Sequence, residues 1–360
     1  MGEIGAYYTD APGGGINFNT VKISGEGGNV LLKPLLTGIC GTDRGIVNGS
    51  LSFAYNPPGY SFLVLGHESL CEVVESDSPQ FRKGDRVVPL VRRPGECPNC
   101  LIGRPDNCSD GNKHEAGITG LHGFMRGEFR DFDHNLVRVQ DNSLGDIGVL
   151  TEPTKNVVKA FEVFERVSSR FVYNNSLSTL EGKKALIIGT GSEAFLYSLL
   201  SRDYGFETYI LNRHDIEQNK KDMCAAFDVN FVNSAADRDF INGSPIDLLI
   251  DTSGDPGTIF HYVRKMNYNG IAILFGTNER APVATIGGDD IDYVVERNIT
   301  LAGSVDAARI HYLKALDCLS GWKRKYGKAL DGMITGYYTP GDMDLFMHKP
   351  AGEIKSVIRW

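Results

Sequence analysis

Cys40 and His67 are the two residues of this sequence best suited to hold a reactive metal ion. They stand 27 positions apart, glycines lie close to both, and each follows an apolar run, at residues 31–36 and 62–65. Strands deliver ligands in this way into turns where only glycine allows close approach of the backbone. Thiolate, imidazole and carboxylate are ligands of catalytic zinc, which keeps one position open for water or substrate. The alternative is a small core cysteine and an interior histidine, and the downstream pattern favours the metal site.

A second group of potential ligands lies in a loop rich in cysteine, proline and glycine, at residues 92–117. Cys97 and Cys100 are separated by two residues, and Cys108 follows after seven more. In an intracellular chain this spacing favours metal over disulfides. A structural zinc site takes four ligands, and Pro94 stands where a fourth cysteine would extend the pattern. The candidates for the fourth ligand are Asp106, Asp110, His114 and Glu115. The alternative is a loop that holds together without metal.

A glycine turn further along the chain has the form expected of a dinucleotide site. The apolar strand 185–188 precedes Gly189-Thr190-Gly191-Ser192-Glu193-Ala194, and an apolar helical run follows. The first glycine allows the tight turn and the second lets the backbone approach a pyrophosphate at the helix N-terminus. Because the motif lies between a strand and a helix, it predicts a bound dinucleotide. It does not predict an activity.

The end of the next strand indicates which dinucleotide. An NAD site usually has an acidic residue about 20 residues after the glycines, where it binds the ribose 2′-hydroxyl. Here that place holds Asn212-Arg213-His214, and the first carboxylate is Asp215. Because an arginine pairs with a 2′-phosphate, the sequence favours NADP, with NAD as an accepted second cofactor. The alternative is that Arg213 is an ordinary surface arginine.

These sites must be positioned by two domains, which the length of 360 residues also favours. Short apolar runs separated by glycine-rich turns predict a β-rich start. From Lys183 strands alternate with helices, which predicts a doubly wound parallel sheet and an α/β fold. The predicted strands lie at residues 185–188, 208–211, 248–250, 271–275 and 299–301, and a helix at 155–167 follows Glu152. The predicted domains are residues 1–180, to which 305–360 return, and residues 181–304.

The composition excludes several kinds of partner. With 37 basic and 45 acidic residues the net charge is −8, which argues against nucleic acid or an anionic membrane. No apolar run is long enough to span a bilayer. Met1-Gly2-Glu3 is not followed by a basic and then apolar segment, so no signal peptide is expected. The expected compartment is the cytoplasm.

Taken together, these motifs resemble the zinc-containing medium-chain dehydrogenases, and more narrowly the archaeal-type glucose 1-dehydrogenases. The wider resemblance rests on residues 38–43 (GICGTD), 66–68 (GHE), the cysteine loop and the Gly189 turn. The narrower one rests on residues 91–93 (VRR), 103–106 (GRPD), 114–117 (HEAG), 120–125 (GLHGFM), 151–153 (TEP), 211–213 (LNR), 303–306 (GSVD) and 352–355 (GEIK). It covers nearly the whole chain and departs from the pattern at Pro94.

The resemblance implies a GroES-like catalytic domain joined to a Rossmann domain, commonly in a homotetramer. It also implies a catalytic zinc held by Cys40, His67 and a carboxylate, either Glu68 or Glu152, with Thr42 as a hydroxyl relay beside the substrate. The implied sugar contacts are Glu115, Glu152 and Asp306. The implied cofactor contacts are the Gly189–Ala194 turn, Asn212, Arg213, His214, Gly276, Thr277, Asn278, Ser304, Val305 and Asp306.

The expected reaction is zinc-dependent oxidation of an aldose at C1 to the lactone, with hydride transfer to NADP or NAD. Glucose is the expected substrate, with galactose and other epimers as alternatives. Carboxylates suit paired sugar hydroxyls better than the apolar pocket of an alkyl alcohol. One rival hypothesis is a polyol or alcohol dehydrogenase of the same fold. The other is a non-catalytic NADPH-binding protein, and the presence of Cys40, Thr42 and His67 argues against it.

Overall fold

The computed structural model describes residues 3–111, 114–170, 180–236, 240 and 245–360. Its contacts divide the chain into a first unit, residues 1–155 with 306–360, and a second unit, residues 156–305. Residues 171–179, which precede the predicted domain boundary at 180/181, lie outside the described residues, as do Met1 and Gly2. Within the described ranges, no helix is both long and apolar enough to cross a membrane.

The strands and helices are numbered in chain order. The strands are β1 (Glu3–Thr9), β2 (Asn17–Lys22), β3 (Val30–Ile39), β4 (Leu63–Val64), β5 (Glu68–Ser76), β6 (Arg86–Pro89), β7 (Arg92–Arg93), β8 (His114–Ala116), β9 (Gly120–Leu121), β10 (Phe129–Asp131), β11 (Leu136–Arg138), β12 (Lys184–Ile188), β13 (Glu207–Asn212), β14 (Asn230–Asn233), β15 (Ile246–Asp251), β16 (Met266–Leu274), β17 (Thr300–Gly303), β18 (Ile334–Tyr338) and β19 (Lys355–Arg359). The helices are α1 (Gly41–Val47), α2 (Pro98–Leu101), α3 (Thr151–Ser168), α4 (Ser192–Asp203), α5 (Gln218–Ala226), α6 (Pro256–Val263), α7 (Gly288–Glu296), α8 (Arg309–Tyr326), α9 (Lys328–Asp331) and α10 (Asp344–Met347). Short 3-10 helices lie at Pro105–Asn107, Asp133–Asn135 and Asn142–Leu150.

The first unit is organised around the long strand β3. Its main sheet runs β11-β6-β5-β3-β19-β18, and β10 also pairs with β3. Both β5 and β19 run antiparallel to β3, so Gly38 near the end of β3 lies opposite Glu68 and Val357. The end of β3 and the starts of β5 and β19 therefore meet at one place in the sheet. Smaller sheets, β2-β1-β4 and β7-β8-β9, complete this β-rich unit.

Apolar side chains fix this arrangement. One core cluster joins the first strand to the end of β3 and to α1 through residues such as Tyr7, Ile39 and Ile46, all buried. Burying an aliphatic or aromatic side chain of this size contributes about 1.5–3 kcal/mol. The backbone after Ile39 is therefore held in place by packing on both sides of the turn that begins α1.

The second unit is a parallel sheet in the order β14-β13-β12-β15-β16-β17. Every neighbouring pair of its strands is parallel, which confirms the predicted doubly wound Rossmann sheet. Its strands are buried among apolar residues such as Leu186, Leu249 and Ala272. Strand β14 was missed by the sequence analysis because its sequence, Asn-Phe-Val-Asn, begins and ends with asparagine.

The parallel strands place the predicted cofactor residues along one edge of the sheet. Gly189 follows β12 with φ of +123°, and a Cβ at this position would lie 2.2 Å from Thr252 Oγ1 at the end of β15. Glycine is therefore required where the turn passes the neighbouring strand. Because all these strands run in one direction, the loops after β12, β13, β15, β16 and β17 lie at the same carboxyl edge.

Candidate active site

The side chain of Asp43 connects the two loops that carry Cys40 and His67. It is completely buried, and its Oδ2 accepts the Cys40 backbone N–H at 2.9 Å. Its Oδ1 accepts the Gly66 N–H at 3.2 Å and lies 3.5 Å from His67 Nδ1. One carboxylate therefore sets the distance between the thiol at the start of α1 and the imidazole before β5.

The charges of Asp43 and His67 support one another. Burial by itself raises the pKa of Asp43, but the nearby His67 and the two backbone N–H groups lower it below its usual value. Burial lowers the pKa of His67, but Asp43 and the hydrogen bond with Cys40 more than offset this, and the pKa is raised well above its ordinary value. A metal ion bound to His67 therefore displaces a proton.

Glu68 is the carboxylate that the structure brings to Cys40 and His67. One ligand atom from each of these residues lies within 4.8 Å of the others. The same carboxylate is held by Lys355 Nζ, which donates to Oε1 at 2.6 Å and to Oε2 at 2.7 Å. A Cβ on Gly38 would lie 2.1 Å from Glu68 Oε2, so the glycine leaves space for the carboxylate.

Glu152, the alternative carboxylate, is not part of that group among the described residues. It is at the start of α3, buried, and its Oε1 lies 3.0 Å from Lys155 Nζ one turn along the helix. Among the described residues, the group of possible metal ligands around Cys40 and His67 contains Glu68 and not Glu152.

Thr42 is in the first turn of α1, close to the thiol. The Cys40 Sγ–H donates to Thr42 Oγ1 at 3.8 Å, and Thr42 is half-buried. The hydroxyl thus lies next to the candidate metal group and also reaches the surface, as a proton relay requires.

The residues predicted to contact the sugar are joined by two cations. Arg92 and Glu115 lie opposite each other on β7 and β8, and Glu115 Oε1 accepts from Arg92 Nη2 at 2.5 Å and from Nε at 3.1 Å. Arg92 Nε also contacts Asp306 Oδ2. Lys155 Nζ lies 3.4 Å from Asp306 Oδ1, so the contacts run unbroken from Glu115 to Glu152.

The three cysteines of the loop also come together. Ligand atoms of Cys97, Cys100 and Cys108 lie within 4.8 Å of one another. Hydrogen bonds from Ser109 and from the Cys100 backbone lower the pKa of Cys97 to about 6, which favours the thiolate that binds metal. The hydrogen bond to Asp110 raises the pKa of Cys108 to about 11. Metal binding there must remove that proton.

The candidates for a fourth ligand in this loop differ in their contacts. The Asp106 carboxylate is held by the Arg104 guanidinium at 2.9 and 2.7 Å, and Glu115 is engaged by Arg92. Asp110 Oδ1 lies 2.9 Å from Cys108 Sγ. His114 is half-buried in β8, and its Nδ1 is a buried atom without a hydrogen-bond partner among the described residues.

The carboxyl edge of the second unit carries the predicted dinucleotide residues. Gly191 is the N-cap of α4, and a Cβ on it would meet nothing within 4 Å, so the helix N-terminus is open to a ligand. Arg213 is exposed after β13, and no ion pair of Arg213 occurs within the described part of the chain. The neighbouring Asp215 is paired with Lys221 at 2.7 Å. The carboxylate nearest to Arg213 in the sequence therefore has its own counterion.

The remaining cofactor candidates follow the next strands of the same sheet. Residues 276–278 follow β16, and Ser304, whose N–H donates to Leu274 O at 3.0 Å, follows β17 together with Val305. Sequence reasoning missed the turn after β15, where Asp251 accepts the N–H groups of Ser253 at 3.0 Å and Gly254 at 2.9 Å. Its signal was an Asp-Thr-Ser-Gly run directly after an apolar strand.

Other functional candidates were missed for lack of a local signal. Asp43, Arg92 and Lys355 stand inside the motifs that carry the resemblance and received no role, and Lys155 stands two residues after such a motif. The partners of each are on another element or one helical turn away.

Comparison with known proteins identifies the family. The profile described as "Alcohol dehydrogenase GroES-like domain" matches residues 26–141, and "Glucose dehydrogenase C-terminus" matches residues 145–360. The "Glucose 1-dehydrogenase" of Thermoplasma acidophilum is 54% identical over 364 aligned positions that cover 100% of both chains. The chain belongs to the glucose 1-dehydrogenase family. The glucose 1-dehydrogenase of Metallosphaera sedula is 40% identical, with 92% of each chain covered.

A solved glucose dehydrogenase has the same fold. The enzyme of Haloferax mediterranei, in complex with NADP, zinc and gluconolactone, matches with a TM-score of 0.86 at 26% identity and covers 99% of each chain. Both the GroES-like and the Rossmann parts of the predicted fold are thereby confirmed in this member of the glucose 1-dehydrogenase family.

We expect purified protein to contain about two zinc ions per chain, because the three thiols of the cysteine loop and the group at Cys40 each supply zinc ligands. Cys100→Ser should reduce this to about one and lower the unfolding temperature without abolishing turnover. Elemental analysis and thermal unfolding measure both effects. Cys224→Ser, another buried cysteine, is the matched control. One zinc per chain in both wild type and Cys100→Ser would show that the loop binds no metal.

Arg213→Ala should raise the KM for NADP far more than the KM for NAD. A charge-assisted contact with a 2′-phosphate contributes about 1.5–3 kcal/mol, so the preference for NADP should fall at least about tenfold. Steady-state kinetics with both cofactors measure this preference. Arg166→Ala, on the exposed face of α3, is the control and should leave it unchanged. An equal effect on both cofactors would contradict this role of Arg213.

Proposed function

We propose that this chain oxidises an aldose at C1 to the lactone and transfers the hydride to NADP, with NAD as a second acceptor. The observation that carries the proposal is the group of Cys40, His67 and Glu68 in the same unit as a buried cluster of the carboxylates Glu115, Glu152 and Asp306. Membership of the glucose 1-dehydrogenase family makes glucose the proposed substrate.

The residues at the Cys40 group fit a zinc ion. Sulfur, nitrogen and oxygen donors are all zinc ligands, and those of Cys40, His67 and Glu68 lie within 4.8 Å of one another without any rearrangement. A zinc ion bound there supplies a Lewis acid that lowers the pKa of the anomeric hydroxyl. We assign Glu68 as the carboxylate ligand, because Glu152 is absent from this group among the described residues.

The protein's own groups orient the metal ligands and move the proton. Asp43 fixes the loops of Cys40 and His67 and favours the imidazole orientation in which Nδ1 faces the carboxylate. Lys355 compensates part of the Glu68 charge, so the site is not dominated by anionic ligands. Thr42, half-buried beside Cys40, accepts the proton that the sugar hydroxyl releases and passes it toward solvent.

Sugar binding falls to the buried carboxylates Glu115, Glu152 and Asp306. Carboxylate oxygens accept strong hydrogen bonds from paired hydroxyl groups, and a buried carboxylate has little competition from water. An alkyl alcohol offers a single hydroxyl and would leave such groups unpaired, at a cost of about 1–3 kcal/mol each. This cost favours an aldose over the rival alcohol substrate.

The Gly189–Ala194 turn and Arg213 are the proposed cofactor residues. Backbone N–H groups at the start of α4 point at the open space beside Gly191 and suit a pyrophosphate. Arg213 suits a 2′-phosphate, since Asp215 is already paired with Lys221. NADP bound there supplies the hydride acceptor.

For the cysteine loop we propose a structural zinc held by Cys97, Cys100 and Cys108, with Asp110 as fourth ligand. Asp110 is the candidate carboxylate in hydrogen-bond contact with one of the thiols, whereas Arg104 holds Asp106 and Arg92 holds Glu115. A change of Asp110 to alanine would weaken zinc retention in this loop, as elemental analysis after dialysis against a chelator would show.

We also propose a homotetramer, as the family resemblance implies, and a location in the cytoplasm, as expected from the sequence analysis. Strand β17 is the edge of the second unit's sheet, and Leu301 on it is exposed, as are Ile291 and Val295 on α7. An unpaired edge with apolar neighbours favours association. Sedimentation equilibrium should give four times the mass of one chain, and a monomer would overturn the assembly proposal.

The function is tested by an aldose panel at matched concentration, with NADP and with NAD. We expect lactone formation from glucose, with galactose and other epimers as the alternative aldose substrates, and little oxidation of simple alcohols. Cys40→Ala should abolish turnover and lower zinc content, because the metal loses a ligand, yet the variant should still bind NADP. Full activity of Cys40→Ala, or turnover of alcohols only, would overturn the proposal.

A further inference from the structure

Two buried cations, Arg92 and Lys155, connect the three carboxylates that the proposed function assigns to the sugar. All five residues are at least nine-tenths buried: Arg92 and Asp306 are 5% exposed, Lys155 2%, Glu152 4% and Glu115 9%. We propose that Arg92 and Lys155 are positioning residues that fix these carboxylates for sugar recognition. This inference rests on the proposed function.

Arg92 fixes the relative position of Glu115 and Asp306. Its Nε and Nη2 both donate to Glu115 Oε1, and Nε also contacts Asp306 Oδ2. Nη1 lies 3.4 Å from the carbonyl oxygen of Pro105, so the guanidinium plane is held from a third side. A planar guanidinium has several donors in fixed directions. A lysine at the same position retains the charge but not these directions.

The other oxygen of Glu115 is also occupied. Thr119 Oγ1 donates to Glu115 Oε2 at 3.2 Å. Both oxygens of Glu115 are thus held before any ligand arrives, and its plane is fixed relative to β8. The side chain can accept a sugar hydroxyl only along its remaining lone-pair directions, which the structure has already chosen.

Lys155 fixes the other end of the cluster. Its Nζ lies 3.0 Å from Glu152 Oε1 and 3.4 Å from Asp306 Oδ1, and it stands 5.8 Å from the ring centre of Tyr312. Tyr312 is itself held, because its hydroxyl accepts the Val91 N–H at 3.1 Å. Lys155 therefore lies against a fixed aromatic face and joins two carboxylates.

One acceptor of the cluster has no hydrogen-bond partner. Asp306 Oδ2 is a buried atom without a hydrogen-bond partner among the described residues, although Arg92 Nε lies against it, and Glu152 contacts Lys155 through Oε1. Three carboxylates against two cations also leave one negative charge in excess. A neutral polyol that donates hydrogen bonds into this cluster relieves the excess without bringing in a charge of its own.

Asp306 takes part in this cluster in an unusual backbone conformation. Its φ is +63°, which a non-glycine residue rarely adopts. Contacts from Arg92 and Lys155 to its two oxygens hold the side chain that this backbone presents. Strained conformations of this kind persist where surrounding interactions fix them, and they concentrate at functional sites.

The first test compares Arg92→Lys with Arg93→Lys by steady-state kinetics on glucose and NADP. Arg93 is the next residue, and it pairs with Asp131 outside the cluster, so it is the matched control. We expect Arg92→Lys to raise the KM for glucose by about tenfold or more, with a smaller change in kcat and no change in the KM for NADP, since it removes ground-state sugar binding. Unchanged KM for glucose in Arg92→Lys, at wild-type zinc content and unfolding temperature, would overturn the proposal.

The second test compares Lys155→Met, Lys155→Arg and Lys159→Met. Lys159 is a buried lysine one turn further along α3, so its loss controls for removing a buried charge from this helix. We expect Lys155→Met to raise the KM for glucose and Lys155→Arg to restore much of the affinity, because arginine can still bridge Glu152 and Asp306. Lys159→Met should leave the KM for glucose unchanged. Equal effects of Lys155→Met and Lys159→Met would show a structural role only.

A panel of deoxyglucoses separates positioning from stability. In wild type, removing a hydroxyl that a fixed carboxylate accepts should lower kcat/KM by about tenfold or more. In Arg92→Lys that penalty should shrink, because a misaligned carboxylate no longer distinguishes the two sugars. An undiminished penalty would overturn the positioning role. The proposed function is tested separately by the wild-type protein in the same panel, because oxidation of glucose by wild type does not depend on any change at Arg92.

Discussion

The buried carboxylate of Asp43 is the interaction on which the candidate active site depends. It lies inside the protein with no exposed surface, and it accepts the N–H groups of Cys40 and Gly66 while facing the ring of His67. Burying this charge without partners would cost a large amount of folding free energy, so the carboxylate is stable only when both ligand loops are in their observed positions. In turn, the hydrogen bonds to the carboxylate hold the two loops there.

The same logic extends over the first unit. Glu68 is compensated by Lys355, Glu353 by both terminal nitrogens of Arg44 at 2.8 Å, and Glu115 with Asp306 by Arg92. Removing one partner of a buried pair costs about 3–5 kcal/mol, since the other charge is left unpaired. Such pairs add little net stability compared with apolar packing. Their main effect is to orient the carboxylates, because each hydrogen bond fixes the plane of a carboxylate that contacts a ligand.

Sequence reasoning recovered the features whose causes are local. The strands of the Rossmann sheet are apolar on both faces, so β12, β13, β15 and β16 stand out as uninterrupted runs, and the glycine turn after Ile188 is defined by its own spacing. Cys40 and His67 were found because their glycine neighbours are visible in the chain. Glu68 and Lys355 are 287 positions apart, and nothing local indicates that β19 pairs with β3 beside β5. The partners of Arg92 depend in the same way on the register of β7 with β8 and on the position of Asp306 before α8.

The position of β19 between β3 and β18 has a consequence for biosynthesis. The second unit is one continuous stretch, residues 156–305, whereas the first unit is completed by residues 306–360. During translation, the whole Rossmann sheet is therefore synthesised before β19, which lies between β3 and β18 in the β-rich sheet. Domains made as one stretch can fold while synthesis continues. Until β19 emerges, β3 has a free edge and Glu68 lacks its Lys355 counterion, so the metal-binding end of the molecule is completed only when the last strand has been made.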